Sequence, residues 1–116
     1  LTYNNRGMAF TQKGDHQKAL ADYSKAIQLN PKDPLNYNNR ADLYMRTGNF
    51  EKALEDQNKA ISISPNQAIF HSNRCLSNLR MKSLENALDD CSKAIKLSPK
   101  LAIAYGNRGA TYYQLG

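Results

Sequence analysis

Asparagine stands at Asn5, Asn39, Asn73 and Asn107, and each is followed by an arginine, at Arg6, Arg40, Arg74 and Arg108. The step between copies is 34 residues. An asparagine side chain offers two donors and an acceptor, so a row of them can hold successive peptide groups of an extended chain whatever its side chains. The alternative is that the asparagines hold neighbouring helices in register. Arginine binds carboxylates and phosphates, and Asp22, Asp56 and Asp90 recur in the same step as the arginines. Pairing of Arg with Asp between helices, within a unit or across to the next, is therefore the economical expectation. Groups suited to catalysis are few. His16 and His71 are the only histidines, and His71 falls at an aromatic core position. There is no Gly-rich phosphate loop, His-Glu-x-x-His or nucleophile elbow, so neither an enzyme nor a cofactor or metal site is expected. Cys75 and Cys91, sixteen residues apart, match no metal-ligand spacing. They read as core-filling thiols rather than a disulfide, although a bridge is geometrically conceivable.

Composition narrows the class. Sixteen Lys and Arg against ten Asp and Glu give 116 residues a net charge of +6, which would suit a nucleic acid. Lys13, Lys18, Lys25, Lys52, Lys59 and Lys93 are nonetheless interspersed with acids, as on an ordinary solvated surface. No apolar run is long enough to cross a bilayer. Two cysteines in such a chain favour a reducing compartment, and a cytoplasmic location is expected. The first residue is Leu, so the chain reads as a piece of a longer protein.

The elements that position these residues come from the repeat. Pro31, Pro65 and Pro99 are 34 apart, as are Ala19, Ala53 and Ala87, and Ala26, Ala60 and Ala94. The register divides the chain into 1–33, 34–67, 68–101 and a half unit, 102–116. Each whole unit reads as two helices. In the second, Asp33 is an N-cap with Pro34 in the first helical position, Gly48 is a left-handed stop, Asn49 caps the second helix and Pro65 closes it. Asp15 and Ser83 are the corresponding caps in units one and three. Lys82 stands where Gly14 and Gly48 stand, and must take a positive φ or force another turn.

Along the first helices the inward stripe is Tyr3, Gly7, Phe10; Tyr37, Ala41, Tyr44; His71, Cys75, Asn78; and Tyr105, Gly109, Tyr112. Aromatic, small, aromatic lets a partner helix approach at the small residue, which places Tyr23 over Gly7. One helix pair cannot bury such a face alone, so successive pairs must stack.

A 34-residue helix-turn-helix unit with this stripe, paired alanines and a closing proline resembles the tetratricopeptide repeat, and the resemblance covers the whole chain. It is carried by Tyr-Asn-Asn-Arg-Gly at 3–7 and Ala-Asp-Tyr-Ser-Lys-Ala-Ile at 21–27. The resemblance implies an all-α, right-handed superhelical solenoid of seven helices that holds an extended peptide or a partner helix in a concave groove lined by the first helices. Beside the packing stripe lie Leu1, Leu35, Ile69 and Ile103, the four asparagines, and Arg46 and Arg80. The expected binding residues are Asn5, Asn39, Asn73, Asn107, Leu35, Ile69, Met45, Leu79, Arg46 and Arg80, preferring apolar or mildly acidic side chains. Co-chaperone members of the family clamp a C-terminal carboxylate with lysines, asparagines and an arginine. Only Asn73 matches that set; Asn38, Asp42, Ile103 and Asn107 stand in its other places. The partner is thus expected to be a protein or peptide, with nucleic acid binding through the basic surface as the alternative. The half unit leaves Tyr105, Tyr112 and Tyr113 uncovered, which would suit self-association or further chain.

Overall fold

The computed structural model describes residues 2–116, and these form seven α-helices: α1 (Tyr3–Lys13), α2 (His16–Leu29), α3 (Pro34–Arg46), α4 (Phe50–Ile63), α5 (Ala68–Arg80), α6 (Leu84–Leu97) and α7 (Ala102–Leu115). Leu1 lies outside the described residues. The helices fall into two compact units, 1–63 and 64–116, each with its own core. In the first, Ala19, Tyr23 and Leu43 are buried together, flanked by Phe10 and Leu20. In the second, Cys75, Leu79, Ala87 and Cys91 are buried with Leu76 and Leu84 against them.

Local chemistry sets the helix ends. Asp33 accepts a hydrogen bond from the Leu35 amide, and Pro34 opens α3 with its φ already helical and no N–H to satisfy. Asp15 and Asn49 accept from the amides of Lys18 and Lys52 at the starts of α2 and α4. Ser83 occupies the cap position of α6 but its hydroxyl makes no cap bond; it accepts from the Asn86 side chain instead.

Gly14 and Gly48 turn the chain at φ +82° and +81°, and Lys82 does the same at φ 63°. Unit three therefore keeps the turn and bears the steric cost of a Cβ in the left-handed region. Its ammonium donates to Gln114 Oε1 at 3.0 Å on the surface, a bond worth little. Lys82→Gly is expected to raise stability by about 1 kcal/mol in urea unfolding, since it relieves that strain.

The small positions on the first helices differ sharply in what they face. A Cβ on Gly7 would lie 2.7 Å from Cε1 of Tyr23, whereas one on Gly109 would meet nothing within 4 Å. Tyr23 cannot easily yield, because it is buried and its hydroxyl is held by Thr11. Thr11 Oγ1 donates to the Gly7 carbonyl at 2.9 Å, which leaves the Tyr23 hydroxyl as the donor in their 3.3 Å contact. Burial pushes the Tyr23 phenol above its ordinary value. Gly7→Ala is expected to cost about 1–2 kcal/mol, overpacking outweighing the gain in helix propensity. Gly109→Ala should instead gain up to about 1 kcal/mol, so the two melting temperatures should move in opposite directions.

Candidate functional site

Each whole helix pair is tied by one arginine and one aspartate sixteen residues apart. Arg6 donates through Nε and Nη2 to Asp22 at 2.9 and 2.8 Å, Arg40 to Asp56 at 2.7 and 2.8 Å, and Arg74 to Asp90 at 2.9 and 2.7 Å. All three are bidentate, the geometry in which guanidinium and carboxylate fit best. The hydrogen bonds from Arg6 hold the Asp22 carboxyl below its ordinary value, and the same contact raises Arg6; Arg40 is raised by Asp56. Pairing is therefore within the unit, and these cations are committed to structure. Arg40 also reaches Ser24 on α2 at 3.4 Å, and Asn78 donates to Asp90 at 2.9 Å.

A second recurring tie joins the first helices to the loops before them. The hydroxyls of Tyr37 and Tyr105 donate to the carbonyls of Pro31 and Pro99 at 3.0 and 2.9 Å. His71 makes the equivalent bond from Nε2 to Pro65 at 2.7 Å. Since a carbonyl can only accept, Nε2 carries the proton, and Nδ1 is left buried without a partner. His71 thus serves as a stand-in for tyrosine.

The cysteines are not the free thiols expected above. Cys75 and Cys91 form a disulfide between α5 and α6, with Cα atoms 5.4 Å apart and both residues fully buried. Their separation of sixteen is that of each Arg–Asp pair and of Gly7 and Tyr23, so the facing geometry was implicit in the spacing.

The predicted binding residues divide. Leu35, Ile69, Arg46 and Arg80 are exposed, as are Asn5 and Ile103, while Met45 is half-buried. Leu79 is only 5% exposed. It lies one turn beyond Cys75 and shares its inward face, so it belongs to the core and cannot line a binding surface.

The asparagines are half-engaged. Asn39 donates through Nδ2 to Asn4 Oδ1 at 2.6 Å, from α3 to α1. Asn107 on α7 donates to the Ser72 carbonyl and hydroxyl on α5 at 3.3 and 3.4 Å. In each unit the amide nitrogen thus joins consecutive first helices, the register-holding role. The Oδ1 atoms of Asn39 and Asn107 have no such bond among the described residues and can still accept. Arg46 is drawn to Asp42 at 3.0 Å on the open surface.

No helix among the described residues is long and apolar enough to cross a membrane, and no group of three His, Cys, Asp or Glu side chains there could hold a metal.

Comparison with known proteins completes the picture. No curated protein matches the sequence significantly. Among solved structures, the first such repeat domain of Spaghetti (RPAP3), bound to the HSP90 peptide SRMEEVD, superposes with a TM-score of 0.93 at 24% identity, covering 97% of this chain and 90% of that one. The Sgt2 domain from Aspergillus fumigatus gives 0.92 at 23%, over 97% and 76%. The TPR2B domain of yeast Sti1, in its pHsp70 complex, gives 0.91 at 22%, over 97% and 94%. At these identities the likeness speaks to the all-α fold. Family models described as tetratricopeptide repeat match residues 1–33 and 34–67, and one described as TPR repeat matches 79–116. With seven helices carrying that punctuation and three matches along its length, the chain belongs to the tetratricopeptide repeat family.

Proposed function

We propose that the chain is a non-catalytic module that binds an extended peptide on the exposed face of its first helices. The observation that carries this is an exposed aliphatic side chain at the start of α3 in the first compact unit and of α5 and α7 in the second. Leu35 is 54% exposed, and Ile69 and Ile103 are exposed in the same place one and two repeats on. Apolar side chains kept at one surface position in register are a docking feature, because folding alone gives them nothing to cover. Four residues after Leu35 and Ile103, Asn39 and Asn107 would accept peptide N–H groups through Oδ1, which asks nothing of the ligand's side chains.

The peptide complex of the Spaghetti domain supports a peptide ligand. The charge pattern here supports a different peptide from the acidic SRMEEVD. Asp42 lies on this face, and Arg46 is already paired with it. An apolar or weakly acidic segment, with Arg80 meeting the acidic side chain, is the ligand class favoured.

The test starts from a peptide selected on the wild-type protein by display. Leu35→Ser and Ile69→Ser should each weaken its binding by about tenfold in fluorescence anisotropy, the loss of one buried aliphatic contact, while Lys25→Ala on α2 leaves it unchanged. Equal affinities across all four proteins would overturn the assignment. These variants lie on the surface and leave folding intact, which circular dichroism checks.

A further inference from the structure

The two compact units are not equally secured. All four helices of the first begin on a side-chain cap: Thr2, Asp15, Asp33 and Asn49 accept from the amides of Asn5, Lys18, Leu35 and Lys52. In the second, Gln67 and Ser83 stand at the starts of α5 and α6 and make no side-chain cap bond. Each missing cap shifts a helix toward unfolding by about fivefold. The turn between α5 and α6 runs through Lys82 at φ 63°, where the other two turns have Gly14 and Gly48. Helix α5 also buries the polar residues His71, Ser72, Ser77 and Asn78, so less of its inward face gains from leaving water.

Against these deficits the second unit has a covalent bond that the first lacks. Cys75 and Cys91 join α5 to α6 at the place where the first unit has Tyr23 over Gly7. The weakest helix pair by local signals is thus the one that is cross-linked.

We propose that the Cys75–Cys91 bridge is a redox latch on the second unit: with the bond closed the unit is folded, and with it reduced α5 and α6 open while the first unit stays folded. A dithiol is the reductant. One of its thiolates attacks a bridge sulfur to form a mixed disulfide, and its second thiol then displaces the remaining sulfur. Two electrons pass to the bridge, the dithiol leaves as a cyclic disulfide, and its two protons end on Cys75 and Cys91. Both cysteines are fully buried, so the attack waits on separation of α5 from α6, and opening and reduction reinforce one another. The consequence for binding rests on the peptide face proposed above. Ile69 and Arg80 lie on α5, and an open second unit withdraws them from that face.

Hydrogen exchange read by mass spectrometry tests the latch. The intact protein is reduced in urea and returned to buffer with dithiothreitol, its two thiols being counted by alkylation; an oxidised sample is handled alike without reductant. Fragments from α5 and α6 should exchange about a hundredfold faster after reduction, the size expected for losing closure of a loop this long. Fragments from α2 and α3 should change by less than about threefold, since they belong to the other core. Cys75→Ala with Cys91→Gln copies Ala41 and Gln57 of the second repeat, and should show the fast pattern without reductant. Gln67→Asp with Lys82→Gly and Ser83→Asp supplies the caps and the turn, and should restore most of the protection in the reduced protein. Unchanged exchange of α5 and α6 on reduction would overturn the latch, as would equal acceleration of α1 to α4. Binding of a display-selected peptide is measured on the same two samples. Weaker binding after reduction, together with the expected exchange, supports redox control of the site. The expected exchange with undiminished binding supports the latch and overturns the placing of the peptide on α5.

Discussion

Arg40→Leu is expected to destabilise the protein by about 2–3 kcal/mol in urea unfolding, because it strands a buried carboxylate. Asp56 is 7% exposed and takes both of its hydrogen bonds in this contact from Arg40, whose own side chain is 23% exposed. That partial exposure places the effect below that of a fully buried pair. Removing both partners, as Arg40→Leu with Asp56→Leu, should recover much of the loss, since the penalty lies in leaving one charge alone. The contrast is Arg46, whose bond to Asp42 joins side chains 60% and 56% exposed. Arg46→Ala should move stability by no more than about 0.5 kcal/mol. Equal costs for Arg40 and Arg46 would contradict the structural role given to the repeated pair. Acid tests the same idea at Asp22. Its carboxyl is held low in the fold, so the stability it contributes is present above about pH 4, the ordinary carboxylate range, and is lost as pH falls through the lowered folded value.

Reducing the Cys75–Cys91 bridge is expected to lower stability by about 3 kcal/mol, the loop-closure value for a ring of this size. The bond closes sixteen residues that include the whole turn from α5 to α6, where Lys82 is already strained. It also lies among Leu79 and Ala87 at the centre of the second unit's core. Thiol titration should find no reactive cysteine in the native protein and two after denaturation with reductant. The urea midpoint should fall on adding reductant, and a midpoint indifferent to reductant would remove the bridge from the account.

The fold was legible because its signals are local and repeated. Asp33 with Pro34, Gly14 and Gly48 each fix a helix end through their own backbone preferences, and the 34-residue step multiplies every one. Tyr23 over Gly7 followed from size alone. Ser83 misled, because a cap position does not oblige the hydroxyl to make the cap bond when Asn86 competes for it. The disulfide was missed although the signal was present: residues sixteen apart face each other in every pair, and two cysteines at that separation in one unit are placed to bond. Leu79, expected among the binding residues, stands four residues after Cys75 on the buried face, a relation already present in the spacing. The asparagines show the limit differently. Residue type and period gave their hydrogen-bonding capacity but not its recipient, and Asn4 and Ser72 on neighbouring first helices take the Nδ2 donors of Asn39 and Asn107.

The most direct test of peptide binding on the first helices is a two-dimensional amide titration of the labelled protein with a display-selected peptide. The backbone amides of Leu35 and Ile69 and the side-chain amides of Asn39 and Asn107 should each shift and saturate with added peptide. Shifts confined to the outward positions of α2, α4 and α6, with Leu35 and Ile69 unmoved at saturation, would contradict it.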